Sequence, residues 1–224
     1  MDSGKSMFPN KFISHLTQWK KLGKLSFFCC LSILIISIAV LILIRNRPHK
    51  KQQKPPPDVS KILPKLRHGD IILRSGVGIW SEYIRDYNKK DKRFSHVGIV
   101  FIEKGKIQVL HAEGDDVTGQ GTVGFDSLET FVRASEQIGI SRFHTVDGTQ
   151  VAAEAKKFLG RPFDWKFNLQ DDSACYCTEL IEHALRRVIP GKSLKLSGKV
   201  IPVDACLDPE LFTEVVVTKE NSGN

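Results

Sequence analysis

From Leu25 to Ile44 the chain runs for twenty residues without a charged side chain, dense in Ile, Leu and Phe. As a helix rising about 1.5 Å per residue, this stretch is long enough to cross the hydrocarbon core of a bilayer. A buried helix of a soluble domain rarely runs so far without a polar face. The run is also long for the apolar part of a cleaved signal peptide, and no small-x-small cleavage pattern follows it. Cys29 is not a lipoprotein acceptor, because Phe27 and Phe28 precede it and the apolar run continues past it. The expected organisation is a basic tail (1–24), a transmembrane helix (25–44), a basic, Pro-rich linker (45–61) containing Pro55-Pro56-Pro57, a folded domain (62–219) and a short disordered tail (220–224).

Charge follows the same division. Residues 1–54 hold ten Lys/Arg and one acid, a net of +9. Residues 55–224 hold twenty-three Lys/Arg and twenty-four acids, a net of −1, which together give the +8 of the whole chain. The basic character therefore belongs to the membrane-proximal segment, and a nucleic-acid partner for the folded domain loses its electrostatic basis. The short tail before a single span is a signal-anchor pattern, which places the domain outside the cytoplasm, in the cell envelope. The flanking charges lean marginally the other way.

Within the domain the pattern is α+β. Short β-branched or apolar runs at Asp70–Leu73, His96–Ile102, Lys106–Ala112, Gly139–Phe143 and Phe212–Thr218 read as strands, the second and third joined as a hairpin through Glu103-Lys104-Gly105. Trp80–Tyr87 and Thr149–Leu159 read as helices, the latter stopped by Gly160 and Pro162. The Gly-rich residues 114–124 read as a loop. Asp126, with Glu129 three positions on, reads as a capping box opening a short helix. A small antiparallel sheet with helices packed on it is the expected architecture.

The last helix carries the chemistry. Leu180, Ile181, Ala184, Leu185 and Val188 recur at helical spacing, and Asp172 and Ser173 are good N-cap types. Cys177 then falls in or near the first turn, where backbone N–H groups and the macrodipole lower a thiol pKa. Cys175, about 200° away around such a helix, points elsewhere. His96 begins one hairpin strand and His111 ends the other, so the hairpin brings them together. A thiol, an imidazole and a third polar group are what acyl transfer through a thioester requires. Each of these residues alone is common in a protein core. No zinc-like Cys/His spacing is present, and the chemistry calls for no metal or organic cofactor.

Gly69-Asp70-Ile71-Ile72, Ser95-His96-Val97-Gly98-Ile99-Val100, Val109-Leu110-His111-Ala112, Arg161-Pro162-Phe163-Asp164 and Tyr176-Cys177-Thr178-Glu179-Leu180 occur in that order. Over roughly residues 64–216 the chain resembles the YiiX/YaeF/YebB-like family, circularly permuted papain-like amidases of the NlpC-type superfamily related to the lecithin retinol acyltransferase group. The resemblance implies Cys177 as nucleophile and His96 as general base and acid. It implies His111 as the third residue, with Glu113 as the alternative. The Tyr176 or Cys177 amide would serve as an oxyanion donor, and Asp164 would brace the loop before the helix. Cys175 and Cys206 could pair if the domain is extracytoplasmic. The implied activity is hydrolysis of envelope peptide amides or N-acyl lipids. The alternatives are acyl transfer of the lecithin retinol acyltransferase type and a non-catalytic, membrane-tethered binding domain.

Overall fold

All six residues of β1 (Ile71–Gly76) are buried, because both faces of this strand are covered. Ile71 and Leu73 enter one core and Ile72 another, as the period of two demands. The same alternation runs through β2 (His96–Glu103), where Val97, Ile99 and Phe101 share the first core and Val100 the second. The computed structural model describes residues 56–218 apart from 116, 117, 119 and 134, and these belong to one compact unit.

The remaining strands are β3 (Lys106–Asp115), β4 (Gln120–Ser127), β5 (Ser135–Phe143) and β6 (Phe212–Val217). They form a six-stranded sheet in the order β4-β3-β2-β1-β5-β6, antiparallel at every pairing. Among the described residues four α-helices accompany it: α1 (Ile79–Tyr87), α2 (Leu128–Arg133), α3 (Gly148–Lys156) and α4 (Cys177–Val188). Helices α3 and α4 cover one face through Val151, Ala152, Ala155, Leu180, Ile181, Ala184 and Leu185. Leu128, Phe131 and Val132 of α2, with Ile62 and Leu66, cover the other. The expected α+β class is observed.

Three local readings need correction. The Gly-rich stretch taken as a loop is largely strand: β3 runs on to Asp115 and β4 pairs with it from Gln120. A Cβ built on Gly121 would lie 2.3 Å from the Glu113 carbonyl oxygen, so this glycine permits close strand approach rather than a turn. Helix α2 is capped by Ser127, whose Oγ accepts the Thr130 N–H at 3.0 Å, and not by Asp126, which faces the sheet. Helix α4 has Tyr176 as its N-cap, not Asp172 or Ser173. Among the described residues no helix is long and apolar enough to cross a membrane. The 25–44 run, the tail before it and most of the linker lie outside the described residues.

The Gly-Asp-Ile-Ile motif owes its Asp to folding. Asp70 is 1% exposed and accepts from Arg142 Nε at 2.6 Å, Arg142 Nη2 at 2.8 Å and the Arg67 N–H at 2.8 Å. Removing one partner of a buried pair leaves the other charge stranded, at about 3–5 kcal/mol when both are enclosed. Arg142 remains 25% exposed, so Asp70→Asn is expected to cost about 2–3 kcal/mol. Urea unfolding should show this as a lower midpoint at an unchanged slope.

Candidate active site

The site forms where the sheet opens. β2 and β3 are paired from Glu103↔Lys106 up to Ile99↔Leu110 and no further, although β3 continues to Asp115 alongside β4. The Val100 N–H points to β1, where it donates to the Asp70 carbonyl at 2.8 Å. By alternation the Val97 N–H points the other way, into the gap. The Cys177 thiol lies beside it: the Val97 amide, with those of Thr178 and Cys177 itself, bears on the sulfur and pulls its pKa down.

His96 and His111 approach on the α2 side of this opening. His96 Nε2 lies 3.0 Å from His111 Nδ1, and Phe131 packs edge-on against His111 and tilted against His96. Gly98 makes the approach possible: a Cβ there would lie 2.5 Å from Val109 Cγ1 and 3.1 Å from His111 Cβ. His111 Nε2 in turn lies 3.3 Å from Asp126 Oδ2. An ionised carboxylate only accepts, so the hydrogen sits on His111 Nε2. His111 Nδ1 is then bare and accepts from His96 Nε2–H. His96 Nδ1 is left with a free lone pair, the form a general base needs. No hydrogen bond joins the Cys177 sulfur to His96 among the described residues. The two are linked through the opening by the Val97 amide, one residue along the chain. Catalytic hydrogen bonds are often long before substrate arrives.

Glu113, the alternative third residue, does not reach His96. It is ion-paired with Arg74 and its other oxygen is 3.9 Å from His111 Nδ1. Arg74 is cross-strand from His96 and buried, with one guanidinium nitrogen donating to the Phe131 carbonyl at 3.2 Å. The Tyr176 amide is also taken: it donates to Glu179 Oε2 at 3.2 Å. The amides left for an oxyanion are those around the sulfur. Tyr176 does more than pack, since its hydroxyl accepts the Ile201 N–H at 3.0 Å. Asp164 accepts the N–H groups of Lys166 and Asn168 at 2.8 and 2.6 Å, bracing the loop before α4.

The sequence of residues 65–206 matches the family of permuted papain-like amidase enzymes described as YaeF/YiiX, or C92. The chain belongs to this family. A crystal structure of the metalloprotein YiiX from Escherichia coli O157:H7 superposes with a TM-score of 0.54 at 18% identity, covering 67% of this chain and 96% of that one. No curated protein matches the sequence.

His111, Glu113 and Asp126 each offer one ligand atom, all within 4.8 Å of one another. However, both His111 nitrogens are engaged, and the Arg74 guanidinium already neutralises Glu113. A resident cation would have to displace Arg74, so the set does not fit one. The cluster carries its own internal counter-charge in the Arg74–Glu113 pair.

Burial sets the protonation states. The Cys177 thiol, 8% exposed, is pushed up from 9.0 to about 11 by loss of hydration, against the pull of the surrounding amides and Arg74. That is a net penalty of about 3 kcal/mol, and a helix N-terminus returns only about 0.3–1 kcal/mol. The lowered thiol pKa expected from helix position is therefore overturned. His96 is held well below 6.5 by burial first, then by Arg74 and His111. His111 is lowered by burial, which outweighs Glu113 and Asp126. The resting pair is neutral thiol and neutral imidazole. Cys175 is raised to about 12 by burial and Cys206 is raised as well. All three thiols are free, so the contemplated Cys175–Cys206 bridge is not formed.

Arg74 and Asp126 were not legible as site residues. Arg74 could have been flagged as a charge at the end of an otherwise apolar strand. Asp126 is revealed only by the β3–β4 register, which pairs His111 with Gly124 and Val109 with Asp126.

Stability should bracket neutral pH. Below about 6.5 the unfolded chain takes up protons at His96 and His111 that the folded chain refuses, so stability is lost as pH falls. Above 9.0 the unfolded chain loses thiol protons that the folded chain retains, so stability is lost as pH rises towards about 11. Thermal unfolding across this range should show both limbs, and Cys177→Ala should make the alkaline one shallower without removing it, because Cys175 and Cys206 are raised too. A midpoint constant from about pH 7 to about pH 5 would contradict the neutral histidine pair.

Proposed function

We propose that this chain is a membrane-anchored cysteine hydrolase that cleaves an amide through an acyl-thioester on Cys177, with its domain on the extracytoplasmic side. What supports the reading is the Asp126–His111–His96 relay ending beside the amide that holds the Cys177 sulfur. Family membership supports amide hydrolysis. The uncharged 25–44 run supports the anchor, with the linker at 45–61 leading to the domain at 62–219.

In this mechanism the Cys177 S–H proton passes to His96 Nδ1 as the sulfur attacks the substrate carbonyl carbon. Because both groups start neutral, proton transfer accompanies attack rather than preceding it. The carbonyl oxygen becomes an oxyanion that accepts from the Cys177 N–H. The imidazolium then protonates the leaving nitrogen, the C–N bond breaks, and an acyl-thioester remains. Water, losing its proton to His96, attacks that carbonyl. The carboxylic acid leaves and the thiol recovers its proton. His111 and Asp126 hold the His96 ring in the productive tautomer, and their contact strengthens as positive charge develops. The substrate classes are envelope peptide amides and N-acyl lipids, both found close to a bilayer.

Cys177→Ala should abolish labelling by a thiol-directed acyl probe, and Cys175→Ala should leave it intact. His96→Ala should slow labelling about 10²–10⁴-fold, and Asp126→Ala by a smaller factor because it acts through His111. Mass analysis after incubating the full chain with peptidoglycan fragments and, separately, with N-acyl lipids identifies the bond cut. Labelling that moves to Cys175, or that ignores His96, would sink the assignment.

A further inference from the structure

Helix α1 carries the most exposed large apolar side chains of the described residues: Ile79 is 83% exposed, Tyr83 62% and Trp80 57%, preceded by Val77 at 52%. They share one side of the helix. The helix is held to the domain beside and behind them: Ile84 packs on the core, Arg85 donates to the Gly76 carbonyl at 2.8 Å and Tyr87, one turn beyond Tyr83, donates to the Ser197 carbonyl at 2.8 Å. The helix is thus fixed in place with its apolar side bare. It begins five residues after Arg74, which lies cross-strand from His96.

We infer that the Val77–Tyr83 segment docks the catalytic domain onto the surface of a lipid bilayer, presenting the opening at Cys177 and His96 to substrates held there. The inference rests on the membrane-anchor reading above and favours the N-acyl lipid class. Two observations select a bilayer as the occupant. The four side chains expose roughly 500 Å² of apolar surface, the size at which a patch on a monomer marks an interaction site. That is below the about 800 Å² per partner that a stable protein interface buries. A weak patch suffices when its target is tethered nearby, because binding becomes intramolecular. The uncharged run ends at Ile44 and the core begins at Ile62, and this tether of seventeen residues spans at most roughly 60 Å. Trp80 and Tyr83 are also the residue types that settle at the headgroup level. Nearby charges are mixed: Lys92 pairs with Asp86 and Arg93 with Asp91. Apolar insertion, not headgroup charge, therefore carries the contact.

Trp19, Trp80 and Trp165 are the three tryptophans, so the double substitution Trp19→Phe/Trp165→Phe leaves Trp80 as sole reporter. The full chain would be reconstituted into phosphatidylcholine vesicles, with and without bromine on the acyl chains. Trp80 emission is expected to shift to the blue and to fall about twofold or more with brominated lipid. Adding Ile79→Asp and Tyr83→Asp should abolish the quenching without lowering the thermal midpoint. A second chain, Trp80→Phe/Trp165→Phe, reports from Trp19 beside the apolar run. Trp19 quenched with Trp80 unquenched overturns docking and leaves the anchor standing. A chain that fails to float with the vesicles overturns both. Trp80 shielded from acrylamide in detergent, in proportion to protein concentration, assigns the patch to a second copy and overturns the inference. Quenching that survives the two aspartates does the same.

Discussion

The gap between β2 and β3 is the constraint on which the site depends. Continuous pairing past Ile99↔Leu110 would consume the Val97 N–H in the ladder and leave no place for the Cys177 sulfur. With the strands parted, that amide is a donor facing an opening, and α4 can bring a thiol to it from one face while His96 and His111 come from the other. The parting costs ladder hydrogen bonds at the sheet's end. Pairing of β3 with β4, continuous from Gln108↔Ser127 to Asp115↔Gln120, keeps the freed part of β3 ordered. Beyond β4, the Arg161-Pro162-Phe163-Asp164 segment adds its own contacts: Val123 donates to the Arg161 carbonyl at 2.8 Å and Phe163 to the Gly121 carbonyl at 2.9 Å. This segment also delivers the chain to α4.

Charge at the opening is balanced inside the site rather than by solvent. Arg74, almost fully buried, is offset by Glu113 and faces the Asp126 carboxylate's partner, His111. Its positive field disfavours imidazolium at both histidines and favours thiolate at Cys177. Neither effect matches desolvation, which keeps all three groups neutral at rest. A neutral thiol and a neutral imidazole avoid the penalty of a buried ion pair.

Glu179 shows how α4 fixes the backbone beside Cys177. Fully buried, its carboxylate takes the Tyr176 N–H and lies 3.3 Å from the His183 ring one turn on. His183 stacks on Phe158 at 5.5 Å, and Arg161 and Arg187 cover that ring. The N-cap is therefore fastened from beneath, which holds the first-turn amides in place around the sulfur. The Tyr-Cys-Thr-Glu-Leu motif combines the candidate nucleophile with the groups that fix its backbone: Thr178 Oγ1 donates to the Ile201 carbonyl at 2.8 Å and Tyr176 accepts that residue's N–H.

Much of this was legible from sequence because it depends on short-range periodicity. The alternation in His96–Ile102 and Lys106–Ala112 places His96 and His111 on one hairpin face. The helical spacing of Leu180, Ile181, Ala184 and Leu185 places Cys177 at a helix start. What tertiary structure alone decided is long-range. Asp126 meets His111 only through the β3–β4 register, and Arg74 comes to lie opposite His96 only through the β1–β2 register. The thiol is raised, not lowered, because the sheet and α4 together strip its water. Local pattern determines which way a side chain points along its own element. Hydration and the identity of cross-strand neighbours are properties of the assembled sheet, and no stretch of chain carries them by itself.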